Sequence, residues 1–501
     1  MIPILIAVVY FGFFSILFGF MARRKAAKAA AGDTGQGKNF FTASGQLGFL
    51  AFMCVFTLAP LGGGHTTALF ESQAGFGVAA AWWGILAGGV FVPIFLLWFA
   101  PWFKKLNALK GVVTFPQGLG RIFGPKIKIY NTSVAPAAWM AIAISELLGT
   151  ATCIYTLAGG QLAFSPWCVL IAGILMLIYV LFGGMLQASY MGVVNAFVLV
   201  IGAYVAVAFA AHSYDGGAAG VTASYALQDM AWHTNLFHLT PQVMMNVALP
   251  VVILHVLAVS SEHVMYQPVL GAKDNKTMRR SAFPGGLLNT ACCLPFVMLG
   301  VIGTSIASIA AKEPILSVPE LALLMFPKAL IGLLMVALLC ALLSTGSGLI
   351  LSVSHVLADD IIGPAINKKP GDKGYVALSR ILIIVVTLAL LLPAMRMNAL
   401  LITLFFWSFS LSMPIMFNYL LGMTWKINRK AAWITLICAT AVNFWWTFAT
   451  PDWAGLFTLS FWPVAFVTIG LGLILNAIMP GEPGMLRQMK EMEKEILAKK
   501  S

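Results

Sequence analysis

The stretch Phe56–Glu71, FTLAPLGGGHTTALFE, decides how this chain is read. It lies within an apolar run, Leu47–Phe70, of the length that a helix rising about 1.5 Å per residue needs to cross about 30 Å of hydrocarbon. Within that run Pro60 removes a backbone donor, and Gly62, Gly63 and Gly64 weaken a helix. A helix broken at that depth leaves N–H and C=O groups that lipid does not satisfy. Such backbone is tolerated only against protein or a hydrated cavity, and a plain membrane anchor has no use for it.

Working outward, a second run is interrupted in the same manner. Leu249–Pro268, LPVVILHVLAVSSEHVMYQP, sets Ser260, Ser261, Glu262 and His263 inside an apolar helix. Thirteen apolar runs can be placed in all: Ile2–Met21, Leu47–Phe70, Val78–Ala100, Ser133–Leu157, Pro166–Phe182, Met191–Ala211, Met244–Tyr266, Ala282–Ala310, Ala329–Leu357, Val376–Met395, Leu400–Leu421, Ala431–Ala449 and Leu456–Ile478. The two interrupted runs are the second and the seventh. Broken helices in corresponding positions of two halves point to an inverted repeat with a site at the membrane midplane. The expected fold is therefore an all-α integral membrane protein of about thirteen transmembrane helices, an inverted repeat of two five-helix halves with broken first helices. Its expected segments are a leading helix and cytoplasmic loop (1–45), a first repeat (46–211), an extracellular loop (212–242), a second repeat (243–422), and two trailing helices with a cytoplasmic tail (423–501).

Composition agrees with lipid as the main solvent, since 60% of residues are hydrophobic and only 9% charged. The net charge of +13 is a matter of topology. Alternating from an outside N-terminus, 27 Lys and Arg fall on inner segments, against Lys312, Lys328 and Arg396 outside. This positive-inside asymmetry orients the chain with its N-terminus out and C-terminus in, in the cell inner membrane, and needs no nucleic-acid partner. The cluster Arg23, Arg24, Lys25 and Lys28 follows the first run instead of preceding it, which favours an anchor over a cleaved signal. The seven cysteines lie in or beside apolar stretches without metal-ligand spacing, as buried small hydrophobes. The tail MLRQMKEMEKEILAKK reads as a short solvated or membrane-surface helix.

Against that background the chain resembles the sodium:solute symporter family over roughly Phe40 to Trp425. The stretches that carry the resemblance are FFTASGQLGFLAF (40–52), SQAGFGVAAAWWG (72–84), YVLFGGMLQASY (179–190), VMYQPVLGAKDNKTMRRSA (264–282) and ALLSTGSGLILSVSHVLADDI (341–361). The resemblance implies one helix before a ten-helix LeuT-type core and two after it, and sodium-coupled transport of a small solute. It further implies a sodium site formed by Ala341, Ser344 and Thr345 with main-chain oxygens near Leu58 and Leu61. The residue chemistry is compatible, because sodium is a hard cation that takes oxygen ligands. One departure stands out: the family's aspartate one turn after its GlyGly pair is replaced by Gly192, with Asn195 three residues on. A second sodium site is accordingly not expected.

Ionisable residues at membrane depth are functional candidates by default, since lipid penalises them. They are His65, Glu71, Glu146, His255, Glu262, His263 and His355. By the resemblance, Gly62, Gly63, Gly64 and His65 of the first break and Glu262 and His263 of the second face the substrate, with Trp407 closing over it from the tenth core helix. Glu71 and His355 read as structural, and Glu146 as a deeper residue that pairs with His255 or with a cavity group, structural pairing being favoured. Freed amides and His65 suit a carboxylate and Glu262 suits an amine, so an amino acid or small carboxylate is the expected substrate. Sodium is the expected coupling ion, a coupled substrate and no held cofactor. A proton-coupled transporter on the same fold, or a transporter-like membrane sensor, is the alternative. No nucleophile elbow, phosphate loop or metal-ligand spacing suggests an enzyme.

Overall fold

A chain with few charges and long apolar runs satisfies its backbone in lipid by forming helices. That is the architecture seen in a computed structural model of the protein, which describes residues 2–30, 40–62, 66–160, 166–181, 184–370, 372, 374–396, 401–449 and 460–498. The helices that build the membrane body are α1 (Ile2–Ala30), α2 (Phe49–Leu58), α3 (Thr67–Phe76), α4 (77–110), α5 (Pro125–Leu157), α6 (Pro166–Leu181), α7 (Gly184–Ser213), α8 (Pro241–Ser261), α9 (His263–Gly271), α10 (Ala282–Thr304), α11 (Lys328–Ala365), α12 (Tyr375–Ala394), α13 (Leu401–Thr424), α14 (Arg429–Ala449) and α15 (Phe461–Ile478). A last helix, α16 (Met485–Ala498), follows outside them.

Among the described residues, eleven helices are long and apolar enough to cross a membrane. The other two expected spans are present in shorter form. The second is divided at Pro60 into α2 and α3, and the fifth is α6, of 16 residues. The expected seventh span is likewise divided, into α8 and α9, at Ala258–Glu262.

Burial orders the bundle. In their most apolar windows α5 and α13 are 89% buried and α11 83%, against 17% for α1, so α5, α11 and α13 form the centre and α1 lies on the rim. The breaks of α2–α3 and α8–α9 both face this centre. Where α2 begins and α9 ends, the two broken units are tied through backbone: Leu47 N–H donates to Gly271 O at 2.8 Å and Lys273 N–H to Leu47 O at 3.0 Å. Helix α16 is anchored instead of free, with Met485 and Met489 buried and Glu493 paired to Lys105 of α4 at 2.7 Å. A two-residue antiparallel pairing, Lys426–Ile427 with Glu482–Pro483, closes the trailing helices.

Candidate functional site

Helix α2 ends because Pro60 cannot continue its hydrogen-bond ladder, and the groups it frees are answered by one side chain from α11. Thr345 Oγ1 accepts the Gly62 N–H at 2.8 Å and donates to Leu58 O at 2.9 Å. Gly62 O in turn accepts from Thr66 Oγ1 at 2.9 Å. A single hydroxyl thus bridges the two sides of the break. Leu58, Leu61, Ala341 and Thr345 are all buried, and Ser344 is bonded to Tyr179. Of the residues expected to hold sodium, the structure thus brings Thr345 Oγ1 of α11 within 2.9 Å of Leu58 O of α2. Gly63, Gly64 and His65 lie outside the described residues, and Glu71 is placed only by its backbone in α3.

The second break is held in a similar way by its own hydroxyls. Ser261 Oγ donates to Ala258 O at 2.8 Å, Ser260 Oγ to His255 O at 3.1 Å, and Tyr266 OH to Ser260 O at 2.6 Å. Glu262 caps α9 in an extended conformation, φ −71° and ψ 128°, which aims its carboxylate away from the axis of α9. It is buried, and its Oε1 has no hydrogen-bond partner among the described residues.

Between the two breaks is an enclosed cavity of about 20 Å³. Ala59, Pro60, Val259, Glu262 and Thr345 line it from the breaks and α11, Glu146 and Ile142 from α5, Trp83 from α4, His255 from α8, and Phe405 and Phe409 from α13. His255 Nδ1–H donates to Val251 O at 2.7 Å, which leaves Nε2 as its acceptor face, and the ring packs edge-on to Trp83 at 5.6 Å. Glu146 is fully buried and presses on the first break: a Cβ added at Gly62 would lie 2.2 Å from Glu146 Oε2.

Three sequence expectations need correction here. His263 does not share the cavity with Glu262. Neighbours on a helix point about 100° apart, and His263 turns to the inner side. There its Nδ1 accepts the Phe115 N–H at 3.4 Å, so its Nε2–H donates to His355 Nδ1 at 2.8 Å. His355 then presents Nε2–H to Asp359 Oδ2 at 3.4 Å, and Asp359 also accepts a short hydrogen bond from Tyr375 OH. Gln267, held by Ser352 at 2.6 Å, donates to the same His355 Nδ1 at 3.3 Å. His355 is therefore a member of this buried chain, not an isolated structural residue. Trp407 likewise misses the cavity: its ring packs on Phe444 of α14 at 5.9 Å. Phe405 and Phe409, one helical turn apart, share the inward face that Trp407, between them, cannot. Glu146 takes the second of its two expected positions, its carboxyl standing against the Gly62 backbone in the cavity wall.

Below the histidine pair an open pocket of about 880 Å³ is lined by His355, Asp359, Tyr375, Asn107, Gln117 and Lys368 among others. His355 and Asp359 of the buried chain line this pocket, and none of its three members lines the central cavity. No group of three His, Cys, Asp or Glu side chains suited to a metal ion occurs among the described residues.

Residues 40–438 match the model of the sodium:solute symporter family. The chain belongs to that family. Sodium/glucose cotransporter 2 of Rattus norvegicus is 24% identical over 371 residues, 65% of this chain and 53% of that one. This symporter-family chain thus spans about half the length of that curated relative. Among solved structures, a Na⁺-coupled sialic acid symporter in a substrate-bound outward-open state aligns with a TM-score of 0.74 at 15% identity, covering 97% of this chain and 99% of its own. Mhp1, a nucleobase-cation-symport-1 family transporter in a closed conformation, aligns at 0.57 with 16% identity over 90% of this chain and 98% of its own. MhsT in complex with L-phenylalanine aligns at 0.56 with 12% identity over 85% and 98%. At such identities the likeness establishes the fold, and both fold and family are those of transporters.

The resemblance read from the sequence is borne out, and so is the fold class, apart from the exact helix count. What sequence reasoning missed is the reach of α1. Tyr10 OH donates to Asn195 Oδ1 at 2.8 Å, and Asn195 Nδ2 donates to Tyr179 OH at 2.8 Å, which joins Ser344. A tyrosine in a lipid-facing leading helix gives no sequence signal that it enters a polar network.

Proposed function

We propose that the chain is a secondary active transporter, a sodium-coupled symporter of a small organic solute that works by alternating access in the cell inner membrane. In this reading its N-terminus is outside and its C-terminus cytoplasmic, residues 46–211 and 243–422 are the two repeats, and 1–45, 212–242 and 423–501 are the flanking and connecting segments. The observation that carries the proposal is the double position of Thr345, which bridges the break at Leu58 and Gly62 and also lines the central cavity. Sodium held by the Leu58, Leu61 and Ala341 carbonyls with the Ser344 and Thr345 hydroxyls fixes α2 against α11. That sets the wall of the solute cavity a few ångströms away, which is how one ligand changes the affinity for the other. The solute-facing groups are Gly62, Glu262 and the neighbouring Glu146, with Gly63, Gly64 and His65 adjoining them in sequence. His263, His355 and Asp359 form the inner barrier, which must part for release toward the open inner pocket.

The experiment is uptake of labelled solutes into vesicles holding the purified protein, with and without an inward sodium gradient. Sodium-driven uptake should be lost in Ser344→Ala with Thr345→Ala. Uptake that ignores sodium and follows a pH gradient would instead identify a proton-coupled transporter. The buried Glu262 carboxyl, whose Oε1 has no hydrogen-bond partner among the described residues, is the observation that favours this second reading, which requires loss of uptake in Glu262→Gln.

A further inference from the structure

We infer that an anionic phospholipid binds in the groove between α4, α16 and the short helix Asn275–Arg280 that leads into α10, with its headgroup phosphate held by Arg279 and Lys490. The groove has a volume of about 810 Å³. Four basic side chains line it, Lys104, Lys105, Arg279 and Lys490, against one acid, Glu493. Glu493 is engaged by Lys105 at 2.7 Å. Lys104 donates to a neutral acceptor, the Ala272 carbonyl, at 2.6 Å, and shares the neighbouring Asp274 with Lys273. Arg279 and Lys490 are both exposed, one on the short helix and the other on α16, so the space between them carries a positive field that an anion answers. A guanidinium takes a phosphate through two parallel N–H bonds and an ammonium takes it as a point charge, so the pair suits a phosphate monoanion.

The surroundings of that pair choose a lipid over a soluble phosphate. Trp98 and Trp102, one turn apart on α4, form part of the same wall, and tryptophan gathers at headgroup depth because one end of its ring system is apolar and the other wet. Arg279, Phe283 and Leu287 follow at four-residue spacing. Ser281 joins the short helix to α10 without a break, its N–H donating to Thr277 O at 3.2 Å and its carbonyl accepting from Gly285 N–H at 2.9 Å, so the three side chains share one face. Phe283 is 69% exposed and Leu287 73%, which continues an apolar strip from the guanidinium toward the hydrocarbon. Between α4 and α10 themselves there is no room for an acyl chain: a Cβ added at Gly88 would lie 2.4 Å from Gly286 O, and one at Gly286 2.3 Å from Gly88 O. The chains of the lipid therefore lie along the outer face. A basic pocket at the head of an exposed apolar strip matches both ends of a phospholipid, whereas a free phosphate uses only the first. The bound headgroup clasps α16 to the segment that follows the second broken helix, beside the Lys105–Glu493 pair.

The test titrates the detergent-purified full chain with phosphatidylglycerol, phosphatidylcholine and inorganic phosphate, read by the unfolding temperature and by native mass spectrometry. Phosphatidylglycerol should raise the unfolding temperature and stay bound in the spectrometer; phosphatidylcholine and inorganic phosphate should do neither. One basic residue at a headgroup is worth about fivefold in affinity. Lys490→Gln should therefore weaken phosphatidylglycerol binding about fivefold, and Arg279→Gln with Lys490→Gln about 25-fold. Lys276→Gln with Lys494→Gln removes the same charge from exposed positions that do not line the groove, and should leave binding within about twofold of wild type. Lys490 is exposed on the last helix, so its single replacement carries the test even if the double variant fails to fold. Wild-type affinity in Lys490→Gln overturns the inference, as does equal weakening in the two double variants. An equal response to phosphatidylcholine overturns it too, and so does a response to inorganic phosphate that phosphatidylglycerol does not exceed.

Discussion

Replacing Thr345 with valine tests the join between the two ligands most directly. The side chain keeps its shape and loses only its hydroxyl, which makes two bonds, to Gly62 N–H at 2.8 Å and Leu58 O at 2.9 Å. Thr345 is 4% exposed, so water does not replace them. An abandoned buried donor costs about 1–3 kcal/mol, which is the cost at Gly62. The Leu58 carbonyl also accepts from Leu61 N–H at 3.2 Å, which puts its loss near the lower end of that range. Together the break should be destabilised by about 2–4 kcal/mol. A coupling ion that must be held across this break loses one oxygen ligand as well as its prearranged geometry. With tenfold in affinity for every 1.4 kcal/mol or so, the sodium half-saturation should rise by about 30-fold, and by up to about 700-fold if the whole cost falls on sodium binding. The assay is sodium titration of the unfolding temperature of detergent-purified protein, followed by the sodium dependence of uptake. Thr345→Ser, which keeps the hydroxyl, should remain within about threefold of wild type. A valine variant with unchanged sodium half-saturation would refute the reasoning. A serine variant as defective as valine would transfer the effect from the hydroxyl to the methyl group.

Gly62→Ala should abolish uptake and lower stability by about 1–3 kcal/mol, the usual cost of overpacking, because its methyl group meets Glu146 Oε2; thermal unfolding checks this, and a second substitution, Glu146→Ser, should recover the stability but not the uptake. His355→Ala removes the acceptor of the His263 Nε2–H and should open the inner barrier. A cysteine placed at Val259 in a cysteine-free background should then react with a water-soluble thiol reagent from the inner side at least about tenfold faster. In the outer loop, burial lowers the affinity of His233 for a proton from its ordinary value of 6.5, while its Nε2 lies 3.3 Å from Ala74 O. The unfolded loop then binds the proton more readily than the folded one. The stabilisation is present above pH 6.5 and lost as pH falls below it. Proteolysis of segment 212–242 should quicken on acidification, and His233→Gln should remove that dependence.

The breaks were legible in the sequence because proline, glycine and a run of polar residues inside twenty apolar ones contradict an uninterrupted span. The helix ends were not. Helices α4 and α11 run on to residues 110 and 365, past the lipid, because Lys104, Lys105, Asp359 and Asp360 find partners in the inner structure that hydropathy does not register. Side-chain direction was equally hidden. Glu262 and His263 are adjacent in sequence, yet one lines the cavity and the other bonds His355, and Trp407 is flanked by the two phenylalanines that line the cavity in its place. A periodicity of 3.6 fixes which residues share a face but not which face is inward when all faces are apolar.

The replacement of the family's aspartate by Gly192 removes a charge. Helix α7 lies against α2 there, and a Cβ at Gly192 would be 3.4 Å from Val55 N, an ordinary contact, so it is the loss of the carboxylate and not a lack of space that sets this position apart. The neighbouring polar position is filled by the neutral Asn195, whose Oδ1 accepts from Tyr10 OH and whose Nδ2 donates to Tyr179 OH. In this chain the negative charge is on α5 instead, where Glu146 meets Gly62. Charge near α7 would act on the coupling ion from behind; charge on α5 acts on whatever enters the cavity. If that shift is what selects the solute, exchanging Glu146 for glutamine should relax discrimination between amines and carboxylates while leaving sodium half-saturation within about threefold, since none of the proposed sodium ligands is charged or shared with α5. A change in sodium dependence as large as that of the valine variant at Thr345 would show that Glu146 serves the ion and not the solute.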